Sequence, residues 1–276
     1  MSNKRLPLYL RHAWPVRVTH WVNALALAVL FMSGLNIFSA HPALYWGKSS
    51  YTGRGPALQV TAREDGGEVV GVTRVFGREF VTTGVLGASA GPGGTVERTF
   101  PSWLTLPGER WLAMARRWHF SFAWLFVLNG LAYLAYAFAS RHVARDLLPS
   151  AADWRGIGRS VLDHLRLRHP VGEAARRYNV LQKLTYLGVI FGLLPLVVLT
   201  GFAMSPSLDA LVPGWVDLLG GRQSARTLHF LAAWLLVAFV LVHVVEMILA
   251  GPWNHLRSMV TGRYRVPAHP ADEQAR

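Results

Sequence analysis

Four long apolar segments dominate the chain, and each approaches or exceeds the ~20 residues a helix needs to cross the hydrocarbon core of a bilayer. They run over about 18–40, 118–139, 184–204 and 228–250, the third interrupted by Pro195, which a membrane helix tolerates as a kink. The connection 41–115 carries Gly- and Pro-rich pieces ("YTGRGP", "GASAGPGGT") and a β-branched run, "EVVGVTRVF". That pattern predicts a small hairpin-like cap with loops. The last residues, "PAHPADEQAR" at 267–276, read as a disordered tail. No internal repeat or low-complexity tract stands out. The expected fold is all-α: one integral membrane four-helix bundle over 1–276, with a long periplasmic loop between helices 1 and 2.

Charge orients the spans. Connection 140–178 holds Arg141, Arg145, Arg155, Arg159, Arg166, Arg168, Arg176 and Arg177, while both tails add further Lys and Arg. The 41–115 connection is nearly twice as long yet has seven, beside six acidic residues. By the positive-inside rule both termini and the arginine-rich loop are cytoplasmic, and 41–115 is periplasmic. "FSA" before His41 faintly resembles a cleavage site, but the apolar stretch is long for a signal peptide, so the first span is expected to be retained. With 52% hydrophobic residues, eleven tryptophans and a formal charge of +13 gathered between spans, the chain suits a membrane lipid environment and no nucleic-acid partner. It has no cysteine, which excludes disulfides, covalent c-type haem and cysteine-held iron–sulfur clusters.

Depth sorts the eleven histidines. His12, His142, His164, His169, His255 and His269 fall in cytoplasmic segments, and His41 sits at the outer end of the first span; these are expected to be solvated or interfacial. Four lie inside or at the mouths of spans. His20 and His243 belong to the cytoplasmic side, His119 and His229 to the outer side. His229 and His243 are fourteen residues apart on one helix, so they sit ~21 Å apart along the axis and within ~40° of one face. Facing imidazoles in a bundle suit the two axial positions of a haem iron, so two non-covalent haem groups are expected, one towards each surface. Zinc is the rival metal, but it wants four converging ligands. Gly34, fourteen residues after His20, either makes room for a porphyrin or serves ordinary helix packing. Arg17, Arg116, Arg117 and Arg226 fit either haem propionates or plain flanking anchors.

"RVTHWVNALAL" at 17–27, a histidine opening the second span, "RRYNVLQKLTY" at 176–186 and the two histidines fourteen apart resemble the di-haem cytochrome b membrane subunits of formate dehydrogenases, nickel–iron hydrogenases and thiosulfate-reductase-type enzymes. That resemblance implies bis-histidine haem b, with His20 and His243 on one haem and His119 and His229 on the other. It also implies a quinone site beside Asn179 and Gln182, although Leu181 stands where the formate dehydrogenase pattern has glycine. Asn179 reads equally as the N-cap of the third span. The elements "HPALYWG", "FVTTGVLG" and "FPSWLTLPG" resemble, more loosely, a subgroup paired with periplasmic sulfite-oxidase-like molybdenum proteins.

The expected function is electron transfer across the bacterial inner membrane, between the quinone pool and a periplasmic redox partner, implied to be a molybdenum oxidoreductase. The haems carry the redox change and no side-chain constellation of catalytic type is present, so the chain serves as a subunit of an oxidoreductase, with or without its own quinol chemistry. The alternatives are a histidine-relay proton channel or transporter and a haem-free anchor.

Overall fold

The computed structural model describes residues 8–50, 53, 55–166 and 178–265. The expected disordered tail at 267–276, with His269, and Arg168, His169, Arg176 and Arg177 lie outside the described residues, as does the side chain of His164.

Among the described residues four helices are long and apolar enough to cross a membrane: Trp14–Phe38, Leu112–Ala139, Val180–Ala203 and Arg222–Leu249. Each begins before the apolar run does, because polar residues that hydropathy excludes still take helical backbone. Their surfaces present Leu25, Leu128, Leu131, Leu199, Leu235 and Leu241, all exposed, as lipid-facing residues require. Trp14, Trp111 and Trp253 are exposed near helix ends, where an amphipathic indole favours the interface. Ahead of Pro195 the third helix widens into a π-turn over Val189–Leu193. A proline has no N–H to offer the carbonyl four residues earlier, and local re-registration absorbs that loss.

The chain divides into two compact units, and each helix has a part in both. The first unit comprises Met1–Asn23, Asn129–Pro195 and Leu235–Arg276. Within it Asn129 Nδ2 donates to the Thr19 carbonyl at 2.9 Å and to Asn23 Oδ1 at 2.6 Å, which ties the first two helices by polar contacts. Lys183 Nζ meets Asp153 Oδ2 at 2.8 Å, and Asp153 itself closes a capping box with Ser150. These bonds, the Lys183 bond foremost, hold the Asp153 carboxyl at about 2. Strand β1 (Leu8–Leu10) pairs antiparallel with a strand near the other end of the chain, Arg263–Arg265.

The second unit comprises Ala24–Leu128 and Leu196–Trp234. Here the all-α expectation needs correction, since the 41–115 connection is a β structure. Strands β2 (Ala43–Leu44), β3 (Leu58–Asp65), β4 (Glu68–Val75) and β5 (Arg78–Val81) form one antiparallel sheet in sequence order. Strands β6 (Ala88–Gly91) and β7 (Gly94–Glu97) form a separate hairpin. The "EVVGVTRVF" run supplies β4, where β-branched residues pack on a pleated surface. A Cβ at Gly71 would collide with the backbone carbonyl of Leu86, so only glycine lets β4 pass that segment. Leu35, Phe38, Leu44, Val60 and Phe100 form a buried cluster beneath the sheet, with Phe230 of the fourth helix packed against it. Buried Asn36 donates to the carbonyls of Pro107 and Glu109 at 2.7 and 2.8 Å, fixing the approach to the second helix.

Candidate functional site

In the second unit His119, on the second helix, faces His229, on the fourth, with ring centroids 6.2 Å apart. In the first unit His20 and His243, on the first and fourth helices, have centroids 6.3 Å apart. An iron ligated on both faces holds its two rings about 6.2 Å apart, from metal–nitrogen bonds of about 2 Å and about 1.1 Å from each nitrogen to its ring centre. Both pairs have the spacing of that geometry. Among the described residues no cluster of three or more His, Cys, Asp or Glu could hold a metal ion, so neither pair has the further ligands that zinc would need.

The His119/His229 pair is held by two copies of one arrangement. His119 Nδ1 lies 3.1 Å from the Leu30 carbonyl and 3.2 Å from Ser33 Oγ. His229 Nδ1 lies 2.9 Å from the Val197 carbonyl and 3.2 Å from Thr200 Oγ1. A carbonyl only accepts, so each Nδ1 carries the proton and each Nε2 lone pair is left for a metal. Each hydroxyl is itself bonded one turn back, Ser33 to the Val29 carbonyl at 2.6 Å and Thr200 to the Leu196 carbonyl at 2.7 Å. The residue after each hydroxyl is glycine. A Cβ on Gly34 would come within 3.4 Å of His119 Cε1, and one on Gly201 within 3.3 Å of His229 Cε1. Gly34 therefore touches the imidazole its depth suggested. Ser33, Thr200 and Gly201 were not singled out from sequence. Their only signal there is the short echo of "LFMSG" and "VVLTG".

His20 and His243 are held differently. Among the described residues His20 Nδ1 is buried with no hydrogen-bond partner, and the His243 ring stacks on Phe239 with centroids 5.9 Å apart.

Two of the flanking arginines bond backbone carbonyls. Arg226 donates to the carbonyls of His41 and Ala43 and lies over the Phe38 ring, clasping the start of the β connection. Arg17 donates to the Val260 carbonyl, and its Nε is buried without a partner. Arg117 is exposed on the second helix. Asn179 and Gln182 form a capping box: Gln182 N donates to Asn179 Oδ1 at 2.8 Å, and Asn179 N to Gln182 Oε1 at 3.2 Å. The N-cap reading of Asn179 thus describes its geometry. Two of the histidines expected to be solvated or interfacial have defined surroundings. His142 pairs with Asp146 at 2.7 Å. Burial, then the charge of Arg11, lowers His12 to about 4, so it stays neutral at physiological pH.

Four apolar helices carrying two pairs of facing imidazoles fit a membrane haem protein. The chain belongs to the prokaryotic cytochrome b561 family, whose sequence profile matches residues 11–262. That family comprises membrane helical bundles that bind haem b and transfer electrons. Among curated relatives it is similar to a putative protein-methionine-sulfoxide reductase subunit, YedZ1, of Azospira oryzae, with 29% identity over 242 residues, covering 88% of this chain and 92% of the relative. It is also similar to a probable Ni/Fe-hydrogenase B-type cytochrome subunit of Cupriavidus necator, with 26% identity over 265 residues, covering 90% and 83%. No solved structure matches the chain.

Proposed function

We propose that the chain is a di-haem b-type cytochrome that passes electrons between the quinone pool and a periplasmic redox partner. The observation that carries this is the pair of ring separations, 6.2 and 6.3 Å, each matching bis-imidazole iron. His119 and His229 ligate one haem, and His20 and His243 the other. When bound, each haem supplies a one-electron couple. The chain's own residues fix ring tautomer and orientation, and Gly34 and Gly201 leave room for the imidazoles of His119 and His229. His229 and His243 fall on one continuous helix, Arg222–Leu249.

The arginine distribution supports an orientation with both termini on the cytoplasmic side of a bacterial inner membrane and the β connection in the periplasm. Both relatives are named as subunits of redox enzymes, which supports a catalytic partner here, and the β connection is the surface available for docking it. The looser sequence resemblance points to a molybdenum oxidoreductase. A quinone headgroup near Asn179 and Gln182 would compete with their capping box, so only the side-chain atoms outside it are free to bind. A reduced-minus-oxidised spectrum with a haem:protein ratio tests the proposal. Two haems per chain are expected. One haem would break the paired assignment, and none would leave the anchor or proton-relay readings.

A further inference from the structure

The two histidine pairs match in spacing but differ in what holds the rings. Each Nδ1–H of the His119/His229 pair is shared between two oxygens. For His119 these are the Leu30 carbonyl at 3.1 Å and Ser33 Oγ at 3.2 Å. For His229 they are the Val197 carbonyl at 2.9 Å and Thr200 Oγ1 at 3.2 Å. The hydroxyls cannot turn their protons towards the rings without losing their bonds to the Val29 and Leu196 carbonyls at 2.6 and 2.7 Å. Their lone pairs therefore face the imidazoles. An N–H held by two acceptors makes the ring a stronger electron donor through its other nitrogen, which stabilises ferric over ferrous iron.

His20 has no such support, since its Nδ1 is buried without a partner. An arginine stands three residues ahead of a histidine at both pairs, Arg17 before His20 and Arg116 and Arg226 before His119 and His229, so the difference between the sites lies in the hydrogen bonds to the rings.

We infer that the haem held by His119 and His229 has the lower reduction potential of the two, and that Ser33 and Thr200 are the positioning residues that set it. The inference rests on the two-haem reading.

A redox titration of the purified full-length chain, followed in the haem α-band, tests this. Two transitions are expected, and His119→Ala should remove the lower one. The double variant Ser33→Ala/Thr200→Val should raise the lower transition alone by at least a tenfold change in its ferric:ferrous ratio at fixed potential, about 59 mV for a one-electron couple. Ser33→Thr and Thr200→Ser, which keep the hydroxyls, should restore the wild-type value. Should the double variant lose haem, Thr200→Val alone, nearly isosteric, carries the test with a smaller upward shift. The inference is overturned if His119→Ala removes the higher transition, or if the hydroxyl variants move neither transition or both equally. A haem:protein ratio of one in the wild type would instead sink the two-haem reading beneath it.

Discussion

Gly201→Leu on the third helix should remove one haem and leave the other. A Cβ at this position lies 3.3 Å from His229 Cε1 and 3.6 Å from Nδ1, already at the tight end of contact. Three further carbons would drive the ring off its bonds to Val197 and Thr200. Overpacking of this kind costs about 1–3 kcal/mol. The displaced hydrogen bond adds about 1 kcal/mol. A total of about 2–4 kcal/mol weakens haem binding at this pair by roughly 30- to 900-fold. Gly34→Leu on the first helix, whose Cβ would press on His119 from 3.4 Å, should lose the same haem. Gly188→Leu on the third helix meets nothing within 4 Å and should keep both. The assay is the haem:protein ratio of purified protein with the difference spectrum of the haem that remains. Full haem content in both Gly201→Leu and Gly34→Leu would refute the reasoning and assign these glycines to helix packing alone. Loss of different haems in the two variants would refute the pairing.

His119→Ala and His20→Ala should each retain one haem with distinct α-band maxima, and loss of both haems in either would show that the pairs are not independent. Asp153→Asn should lower thermal stability at pH 7 by about 2 kcal/mol or less, since a carboxyl held near 2 rather than about 3.9 favours the folded chain once ionised. That contribution is complete above the ordinary carboxylate range and fades as pH falls towards 2, so the difference in Tm should shrink in acid; a constant difference would refute it. Phe76, exposed at φ +47 beside Gly77 in the β4–β5 turn, occupies a conformation that suits asparagine. Phe76→Asn should stabilise the chain by about 1 kcal/mol and slow electron exchange with a periplasmic partner, whereas an unchanged rate would remove the hairpin tip from docking.

Much of this protein is legible along the chain because a bilayer leaves few solutions. An apolar run of ~20 residues must be a helix, and an imidazole within it needs a partner. Those two constraints yield four spans, the choice of His20, His119, His229 and His243, and their pairing by depth. The β-branched run likewise announces strands, though not the sheet order or the buried cluster under it. What the chain alone does not display is azimuth. Whether a serine, threonine or glycine on an apolar helix meets a histidine or a lipid tail depends on rotation about the helix axis, set by packing against other helices. Ser33, Thr200 and Gly201 therefore pass as ordinary span residues until the helices are assembled. Arg226 reads in sequence as a propionate partner or a plain anchor, and only the folding of residues 41–43 brings it the carbonyls it bonds. Asn179 is ambiguous for the same reason, since a cap and a ligand contact use the same atoms. The sequence by itself determined the spans and which imidazoles could meet, through hydropathy, spacing and charge. Only the tertiary structure decided how His119 and His229 are held, because the hydrogen bonds to their Nδ1 atoms arise between helices far apart in the chain.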